Sequence, residues 1–354
     1  NGTWELTGGT IKAITNHSYK NIEVKDDVSL GTAVTATGAV NVNSGKTLTL
    51  GNYNLTSGSV TNYGTIEISG TGRPNKMDAA HGLVKYSGTS AQAISVLTYY
   101  DLELANTGGG VSASGNFTCN NLSNSGKANL GSGTVTLHGN LSNTGTFTSP
   151  STLVITGTTQ TSITGVNKFT NLTITNTDTS TQKVVVFPSV ASRTTGNGIT
   201  ITGNFTVTGA ELVSPASGKN ILLKSDKADS DTDSDWWWLE SATVAKVSVI
   251  NAEISNAYST PNISANVKSS EEKVTTGGDY TTYHWFTEHY YYWFGTNDTN
   301  WATGGNWSSK ADNSKILSQP PRYVDDTAVI TIKAGDSDNQ GKILELISGE
   351  DIEV

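Results

Sequence analysis

The fold is decided by Gly133-Thr134-Val135-Thr136-Leu137, then Gly139-Asn140-Leu141, then Gly145-Thr146-Phe147. In each stretch apolar residues alternate with Thr or Asn, which places them on opposite faces of an extended strand. The pattern recurs upstream at Gly64-Thr65-Ile66-Glu67-Ile68 and downstream at Gly203-Asn204-Phe205-Thr206-Val207. Such runs predict many short strands, each with one apolar and one polar face.

A longer repeat carries these strands. Three segments align on the aromatic positions Tyr19, Tyr99 and Phe169, and each aromatic residue precedes an alternating strand. Their spacing defines a super-repeat of about 70–80 residues, which is too long for one solenoid turn, so we expect it to hold about three. The predicted units lie near residues 3–72, 81–150 and 151–226.

Repetition along the sequence favours a solenoid over a β-sandwich, which also has short strands and frequent turns. Stacked turns repeat because every turn meets the same environment. The 37 glycines and the many Thr and Asn residues oppose helices. We predict an all-β protein with a right-handed parallel β-helix over residues 1–290, including an aromatic cap or insert at 227–290. A small β-rich C-terminal module follows at 291–354, and its last strand either continues into a further domain or pairs with a neighbour.

Composition and charge narrow the classes of function. The net charge is −9 and arginine occurs only at Arg73, Arg193 and Arg322. An acidic chain is poorly suited to nucleic acid or to an anionic membrane surface. No apolar run approaches the roughly 20 residues that a membrane span needs. The solenoid also lacks the paired carboxylates or basic cluster of a polysaccharide-cleaving enzyme. We therefore predict a protein that is not an enzyme, does not bind nucleic acid and does not insert into membranes.

Cys119 is the only cysteine, so the chain cannot form an internal disulfide. Its place in an alternating strand predicts a small buried hydrophobic side chain.

The middle of the chain resembles a known family. Bacterial adhesin-like and hemagglutinin-like β-helix proteins carry repeats of the type G-T-V-x-Y-x-G-x-x-A-Q-x-I followed by Y-Y-N-L-x-L. The matching residues here are Leu-Val-Lys-Tyr-Ser-Gly-Thr-Ser-Ala-Gln-Ala-Ile at 83–94 and Tyr-Tyr-Asp-Leu at 99–102. The first unit departs from the pattern because it lacks the Gln and the doubled tyrosine.

The resemblance extends to the C-terminal part. Family members often continue with a W-x-F segment and then a W-x-G…W…N-W…P…D-D-x-V-I module. The chain is similar at Trp285, at Trp293-Phe294-Gly295, at Trp301, at Asn306-Trp307 and at residues 320–330. The resemblance implies a secreted or cell-surface bacterial protein with a role in adhesion or surface scaffolding.

An acidic run interrupts the repeats at residues 226–235. Its alternating aspartates fall at the spacing of an EF-hand-like loop, with oxygen ligands suited to calcium. Position 6 of such a loop is Ser234 rather than Gly, so a solvated acidic loop is the alternative interpretation. No other cofactor is expected. The candidate calcium ligands are Asp229, Asp231, Asp233, Asp235 and Glu240.

Two aromatic clusters are candidate ligand-binding sites. Three consecutive tryptophans cannot all point inward from a strand, so Trp236 and Trp238 should share one face and Trp237 the other. Exposed flat rings in a row are suited to stacking on sugars, whereas packing at a cap or a domain junction is the alternative for both clusters. The candidates are Trp236, Trp237, Trp238, Tyr290, Tyr291, Tyr292 and Trp293.

These observations predict a non-catalytic structural and adhesive segment of a bacterial extracellular surface protein. Its expected partners are a host or neighbouring-cell surface, a glycan, or other copies of itself. One alternative is a self-assembling extracellular fibre or sheath subunit, because uncapped strand edges template pairing. The other is a carbohydrate-binding module that uses exposed aromatic residues.

Overall fold

Each strand of the N-terminal part pairs in parallel with a strand of the next turn. In the computed structural model Ile66 pairs with Val84, which pairs with Leu102, so the chain returns to the same wall once in every turn. The described residues are 2–11, 18–149, 152–191, 194, 196–210, 219–227, 235–241, 247–260, 266–268, 271–273, 292–293 and 307–308. They contain no α-helix, and their parallel strands stack into a β-solenoid of about 11 turns. The predicted all-β solenoid is therefore confirmed.

The chain divides into two compact units, residues 1–285 and 286–354. The solenoid belongs to the first unit. In the second, the described residues form one antiparallel pair of short strands, in which Trp293 lies opposite Trp307.

The first seventeen strands build the N-terminal turns. Most have three to five residues, and the longer ones run across a corner of the solenoid. Their bounds are β1 (Thr3–Leu6), β2 (Gly9–Ile11), β3 (Asn21–Val24), β4 (Val28–Leu30), β5 (Val34–Val42), β6 (Thr47–Thr49), β7 (Leu55–Asn62), β8 (Thr65–Ile68), β9 (Leu83–Tyr86), β10 (Gln92–Ile94), β11 (Thr98–Leu104), β12 (Val111–Ala113), β13 (Phe117–Asn124), β14 (Lys127–Asn129), β15 (Thr134–Leu137), β16 (Leu141–Asn143) and β17 (Thr146–Ser149).

The later strands continue the same stack as far as residue 273, and two short strands lie in the second unit. Their bounds are β18 (Thr152–Ile155), β19 (Thr161–Gly165), β20 (Lys168–Phe169), β21 (Asn171–Asn176), β22 (Lys183–Phe187), β23 (Ile199–Ile201), β24 (Phe205–Gly209), β25 (Ile221–Ser225), β26 (Trp237–Ser241), β27 (Val247–Ile250), β28 (Ala252–Ser255), β29 (Ala257–Thr260), β30 (Asn266–Lys268), β31 (Glu271–Lys273), β32 (Tyr292–Trp293) and β33 (Trp307–Ser308).

The walls of the solenoid are parallel sheets that run along the stack. One wall starts as β2-β4-β6-β8-β9-β11-β13 and divides at β13. One branch continues through β15, β18, β21, β24, β27 and β30, and the other through β16, β19, β22, β25, β28 and β31. The other walls are β1-β3-β5-β7 early in the chain, then β10-β12-β14-β17, then β20-β23-β26-β29.

The core is a set of apolar columns inside these walls. Strand β15 shows the rule, because Val135 and Leu137 are buried and the two threonines between and before them are not. Val135 pairs with Leu153 of the next turn, and Leu153 pairs with Leu172. Each turn therefore covers the apolar side chains of its neighbour, which removes them from water.

Positions that align in the longer sequence unit do not all occupy the same wall of the solenoid. Tyr99 stands in a column with Cys119 and Leu137. Phe169, which the alignment equates with Tyr99, pairs instead with Ile201 in a different wall. Turns also lengthen along the chain, because 33 residues separate Asn171 from its partner Asn204, against 18 to 20 in the early turns.

Corners of the solenoid are closed by asparagine side chains. A chain that bends leaves some backbone N–H groups outside the strand ladders, and a buried unpaired N–H is costly. The Oδ1 atom of Asn121 accepts a hydrogen bond of 2.7 Å from the N–H of Asn140, one turn later. Among the described residues the same contact joins an Asn or Asp with an N–H of the following turn at Asn21–Ala39, Asp27–Thr47, Asn52–Thr71, Asn54–Arg73, Asn116–Thr134, Asn121–Asn140, Asn140–Ser162 and Asn171–Asn204.

Glycine makes room for this contact. A Cβ atom on Gly139 would lie 2.5 Å from Asn121 Oδ1, and one on Gly203 would lie 2.5 Å from Asn171 Oδ1. Each of these glycines directly precedes the residue whose N–H donates. The recurrent Gly-Asn pairs of the sequence are therefore half of a contact whose other half lies one turn earlier.

Lys183 is a buried cation at the start of β22. Its side chain has 0% relative exposure, and its Nζ donates to Thr161 Oγ1 at 2.9 Å and to the carbonyl oxygens of Thr156 and Thr159. None of the described carboxylates forms an ion pair with it. Burial lowers the pKa of Lys183 from its ordinary value of 10.5 to about 8.

Replacing Asn121 tests the corner contact. Asn121→Ala removes both the acceptor for Asn140 N–H and the 2.7 Å hydrogen bond that Asn121 Nδ2 donates to Asp101. We expect the free energy of unfolding to fall by about 1–3 kcal/mol, measured by chemical denaturation. Ser123→Ala, on the same outward face of β13, should change it by less than about 0.5 kcal/mol. Equal losses in the two variants would contradict the role of the corner contact.

Lys183 predicts an unusual rise of stability with pH. Below pH 8 both folded and unfolded chains carry the proton, and the folded chain bears the full cost of the buried charge. Between pH 8 and about 10.5 only the unfolded chain keeps the proton, so the free energy of unfolding should rise by roughly 3 kcal/mol at most. Lys183→Met should lose this rise. The free energy of unfolding of both proteins is measured by denaturation between pH 7 and 10.5. If it changes with pH in the same way in both, the assignment to Lys183 is contradicted.

Candidate binding surface

The three consecutive tryptophans lie inside the protein. Trp237 stacks on Phe187, with ring centroids 4.3 Å apart, and its Nε1 donates to the carbonyl oxygen of Ser255 at 3.0 Å. Trp236 and Trp238 lie on the other face of the strand, which agrees with the predicted alternation. Their relative exposures are 3%, 0% and 5% in chain order. A sugar could stack on these rings only if the surrounding structure opened.

A second small core covers the outward tryptophans. Trp236 and Trp238 pack with Val190 and Tyr258, and the rings of Trp236 and Tyr258 are 4.7 Å apart. The N–H of Val190 donates to the carbonyl oxygen of Trp236 at 2.9 Å, which fixes this segment on the outside of the strand. The cluster therefore supports the interpretation of these tryptophans as a packing device.

Most of the candidate calcium site lies outside the described residues. Asp229, Asp231 and Asp233 are in that part of the chain. Of the two described candidates, Asp235 accepts a hydrogen bond from Ser225 through its backbone carbonyl, and Glu240 Oε2 accepts one from Gly196 N–H at 2.7 Å. The described residues contain no cluster of three His, Cys, Asp or Glu suited to a metal. Calcium binding stays a prediction.

The second aromatic candidate group is only partly placed. Tyr290 and Tyr291 lie outside the described residues. Tyr292 and Trp293 form β32, whose backbone pairs with β33. Sugar binding by this group also stays a prediction.

Rings from three successive turns form a ladder on the outside of the solenoid. Tyr63 follows β7, His81 precedes β9 and Tyr100 lies in β11. Ring centroids are 4.7 Å apart between Tyr63 and His81, and 6.5 Å apart between His81 and Tyr100. The first distance matches the spacing of about 4.8 Å between paired strands, and the second is longer. We call Tyr63, His81 and Tyr100 the aromatic ladder.

Buried polar contacts hold the ladder in place. Asn62 is 1% exposed, and its Nδ2 donates to the carbonyl oxygen of Leu83 at 3.1 Å, which joins the turn of Tyr63 to the turn of His81. Its Oδ1 accepts from Gly64 N–H at 3.2 Å. Gly82 has a φ of +74°, and a Cβ there would overlap the Asn62 carbonyl oxygen. Only glycine fits this close approach between turns.

Asp78 orients the imidazole of the ladder. Its Oδ2 lies 3.2 Å from His81 Nδ1 and also accepts a hydrogen bond of 2.9 Å from Asn62 N–H. Its Oδ1 accepts one of 2.8 Å from Ala80 N–H. Partial burial pushes the pKa of Asp78 upward, but these hydrogen bonds to the charged form outweigh burial and lower it below 3.8. The carboxylate therefore stays ionised at neutral pH and fixes the ring through Nδ1.

Charged and polar groups flank the ladder on β9, β11 and β13. Lys85 Nζ lies 3.3 Å from Glu103 Oε1. Asp101 Oδ1 accepts a 2.7 Å hydrogen bond from Asn121 Nδ2. Asp101 directly follows Tyr100 in sequence, and the lysine of this group, Lys85, is paired.

The ladder is not evident from the sequence alone. Tyr63 and His81 each lie two residues before the paired positions Thr65 and Leu83, whereas Tyr100 lies one residue before the next paired position, Asp101. The shared signal is an aromatic or imidazole ring once per turn. It becomes visible only when the length of each turn is known, and the alternating pattern of the strands does not supply that length.

The two strongly perturbed nucleophilic side chains described here are structural. Cys119 is fully buried in β13, as predicted, and burial raises the pKa of its thiol to about 12. Lys183 is equally buried. Neither reaches the surface, so their pKa values follow from packing rather than from a reaction site.

Comparison with known proteins gives no match to a family model, to a curated protein or to a solved structure. The resemblance to adhesin-like β-helix proteins therefore stays an expectation drawn from short motifs. Among the described residues no helix is long and apolar enough to cross a membrane.

The Asp78 contacts predict a loss of stability in acid. A carboxylate whose pKa is lowered by folding stabilises the folded chain above its unfolded pKa, near 3.9, and this contribution disappears as pH falls through the folded pKa. Asp78→Asn should lower the free energy of unfolding by about 1–2 kcal/mol at pH 7 and by much less near pH 3. Denaturation at both values measures it. Glu5→Gln, at an exposed ion pair with Lys25, should have little effect at either pH. A pH-independent loss in Asp78→Asn would contradict the assignment.

Proposed function

We propose that the chain is a non-catalytic structural and adhesive segment of a bacterial extracellular surface protein. The observation that carries the proposal is the stack itself, because about 11 turns present long parallel walls to solvent. A solenoid of this kind offers an extended surface for contact with another cell or molecule. It needs only its neighbouring turns for stability, which suits a role in spacing and contact.

The nature of the outward residues supports the proposal. Outward positions are mainly Thr, Ser and Asn, and charged residues are only 15% of the chain. Such a surface contacts other surfaces through hydrogen bonds and through a few exposed rings. Secretion and attachment to the cell surface belong to the same proposal and rest on the motif resemblance.

A carbohydrate-binding role is the second candidate function. The aromatic ladder favours it, because Tyr63, between β7 and β8, keeps 56% of its surface exposed. The buried tryptophans contribute nothing to this candidate in the conformation described.

Adhesion can be tested with the purified chain. We expect fluorescently labelled protein to bind a panel of bacterial and mammalian cells saturably, with competition by excess unlabelled protein. Light scattering on the same sample should report a species whose mass is independent of concentration. If the protein binds none of the cell types saturably, the adhesive function is contradicted. Ordered filaments at raised concentration would favour the fibre or sheath subunit instead.

A further inference from the structure

We infer that the aromatic ladder is a binding site for a neutral oligosaccharide, lying along the solenoid axis across Tyr63, His81 and Tyr100. The inference deepens the proposed adhesive function, on which it rests, by naming the ligand class and the residues that contact it. The candidate residues from the sequence do not include any member of the ladder.

The arrangement of the rings suits a carbohydrate. The planes of Tyr63 and His81 are inclined at 47°, and those of His81 and Tyr100 at 37°. The three rings are therefore inclined rather than parallel, and Tyr63 keeps 56% of its surface exposed. An aromatic face packs well against the C–H bonds on one side of a pyranose ring, because the positive hydrogens meet the negative π-cloud.

The ladder has the polar atoms that a sugar needs. Asp78 engages Nδ1 of His81, so Nε2 lies on the side of the ring away from the carboxylate. Nε2 has no hydrogen-bond partner among the described residues. It can therefore form a hydrogen bond with a sugar hydroxyl. The phenolic hydroxyl groups of Tyr63 and Tyr100 add two groups that donate and accept. Apolar faces combined with a few fixed polar atoms are typical of small-molecule sites.

The backbone of the site is already ordered. The rings are attached to three consecutive turns that are joined by β-ladder pairing and by the buried side chain of Asn62. Binding therefore costs little ordering of the protein, and affinity is not lost to conformational entropy. The direction of the ladder follows the stacking direction, so a ligand of two or more sugar units contacts more than one turn.

Charge selects a neutral ligand over an acidic one. Asp78 contacts His81, Asp101 directly follows Tyr100 in β11, and Glu103, further along the same strand, pairs with Lys85. A uronic acid or a sulfated sugar would meet these carboxylates, and Lys85 is already engaged by Glu103. The chain as a whole, at net charge −9, also repels anions.

The chain provides matched variants for a test. Tyr63→Ala removes the most exposed ring of the ladder, and Tyr63→Phe keeps the ring but removes its hydroxyl. Tyr53 is also exposed, at 38%, but follows β6 at a different corner and makes no ring contact with any of the described residues. Tyr53→Ala is therefore the control for loss of a surface tyrosine.

The experiment measures binding of the full chain to soluble polysaccharides by affinity gel electrophoresis and then by titration calorimetry. The neutral probes are dextran, mannan, xylan and a β-1,3-glucan, and alginate and polygalacturonate are the acidic ones. We expect at least one neutral probe to bind. Tyr63→Ala should weaken that binding about fivefold or more, whereas Tyr63→Phe and Tyr53→Ala should stay within about twofold. Melting temperatures of the variants verify that each one folds.

Each outcome decides the inference. Three results would overturn the inference. They are that no neutral probe binds, that only acidic probes bind, or that Tyr63→Ala and Tyr53→Ala have equal affinity for the probe. If such a result accompanies saturable binding to cells, the adhesive function stands and only the ladder is excluded as its site. Polysaccharide binding that depends on Tyr63, without any binding to cells, would leave the ladder as a sugar site and remove the adhesive role.

Discussion

Satisfaction of the backbone N–H groups at the corners is the constraint on which the structure depends. Parallel ladders pair the straight segments, but a chain that closes a complete turn over a few short strands must bend away from them. Asparagine solves the problem by lending a side-chain oxygen to the next turn, as Asn121 does for Asn140. Glycine in the next turn is the necessary complement, as Gly139 shows. The high content of Gly and Asn is thus a consequence of stacking. The same composition could otherwise be taken as a sign of disorder.

Period-two alternation was enough to predict the strands, because burial on one face requires it, and their repetition along the chain predicted the solenoid. Val135 and Leu137 point inward in the structure as the pattern indicates. Register was not predictable in the same way. Tyr99 and Phe169 align in sequence yet occupy different walls, since similar strands fit any wall of a solenoid whose interior is apolar throughout. The alignment detected the kind of strand, and the pairing with neighbours decided its position.

For the candidate sites too, local alternation predicted the face of a side chain but not its neighbours from other turns. Alternation correctly separated Trp237 from Trp236 and Trp238, but it could not reveal that Val190 and Tyr258 cover the outer face. Burial of an outer face depends on a distant segment of the chain, which local periodicity does not contain. The aromatic ladder could not be predicted from the sequence for a related reason. Its three rings become neighbours only when the chain returns after a complete turn. Residues that meet through stacking carry no local signal.

Parallel stacking also has a mechanical meaning. The hydrogen bonds between turns run along the axis of the solenoid, so tension applied along that axis loads the bonds of one terminal turn before those of the next. Turns should then peel away singly, and each early turn of 18 to 20 residues would release on the order of 60 Å of chain. A tether built in this way lengthens in steps under load and dissipates energy at every step. In the proposed adhesive role, this stepwise lengthening would lower the peak force on the bond to the bound partner.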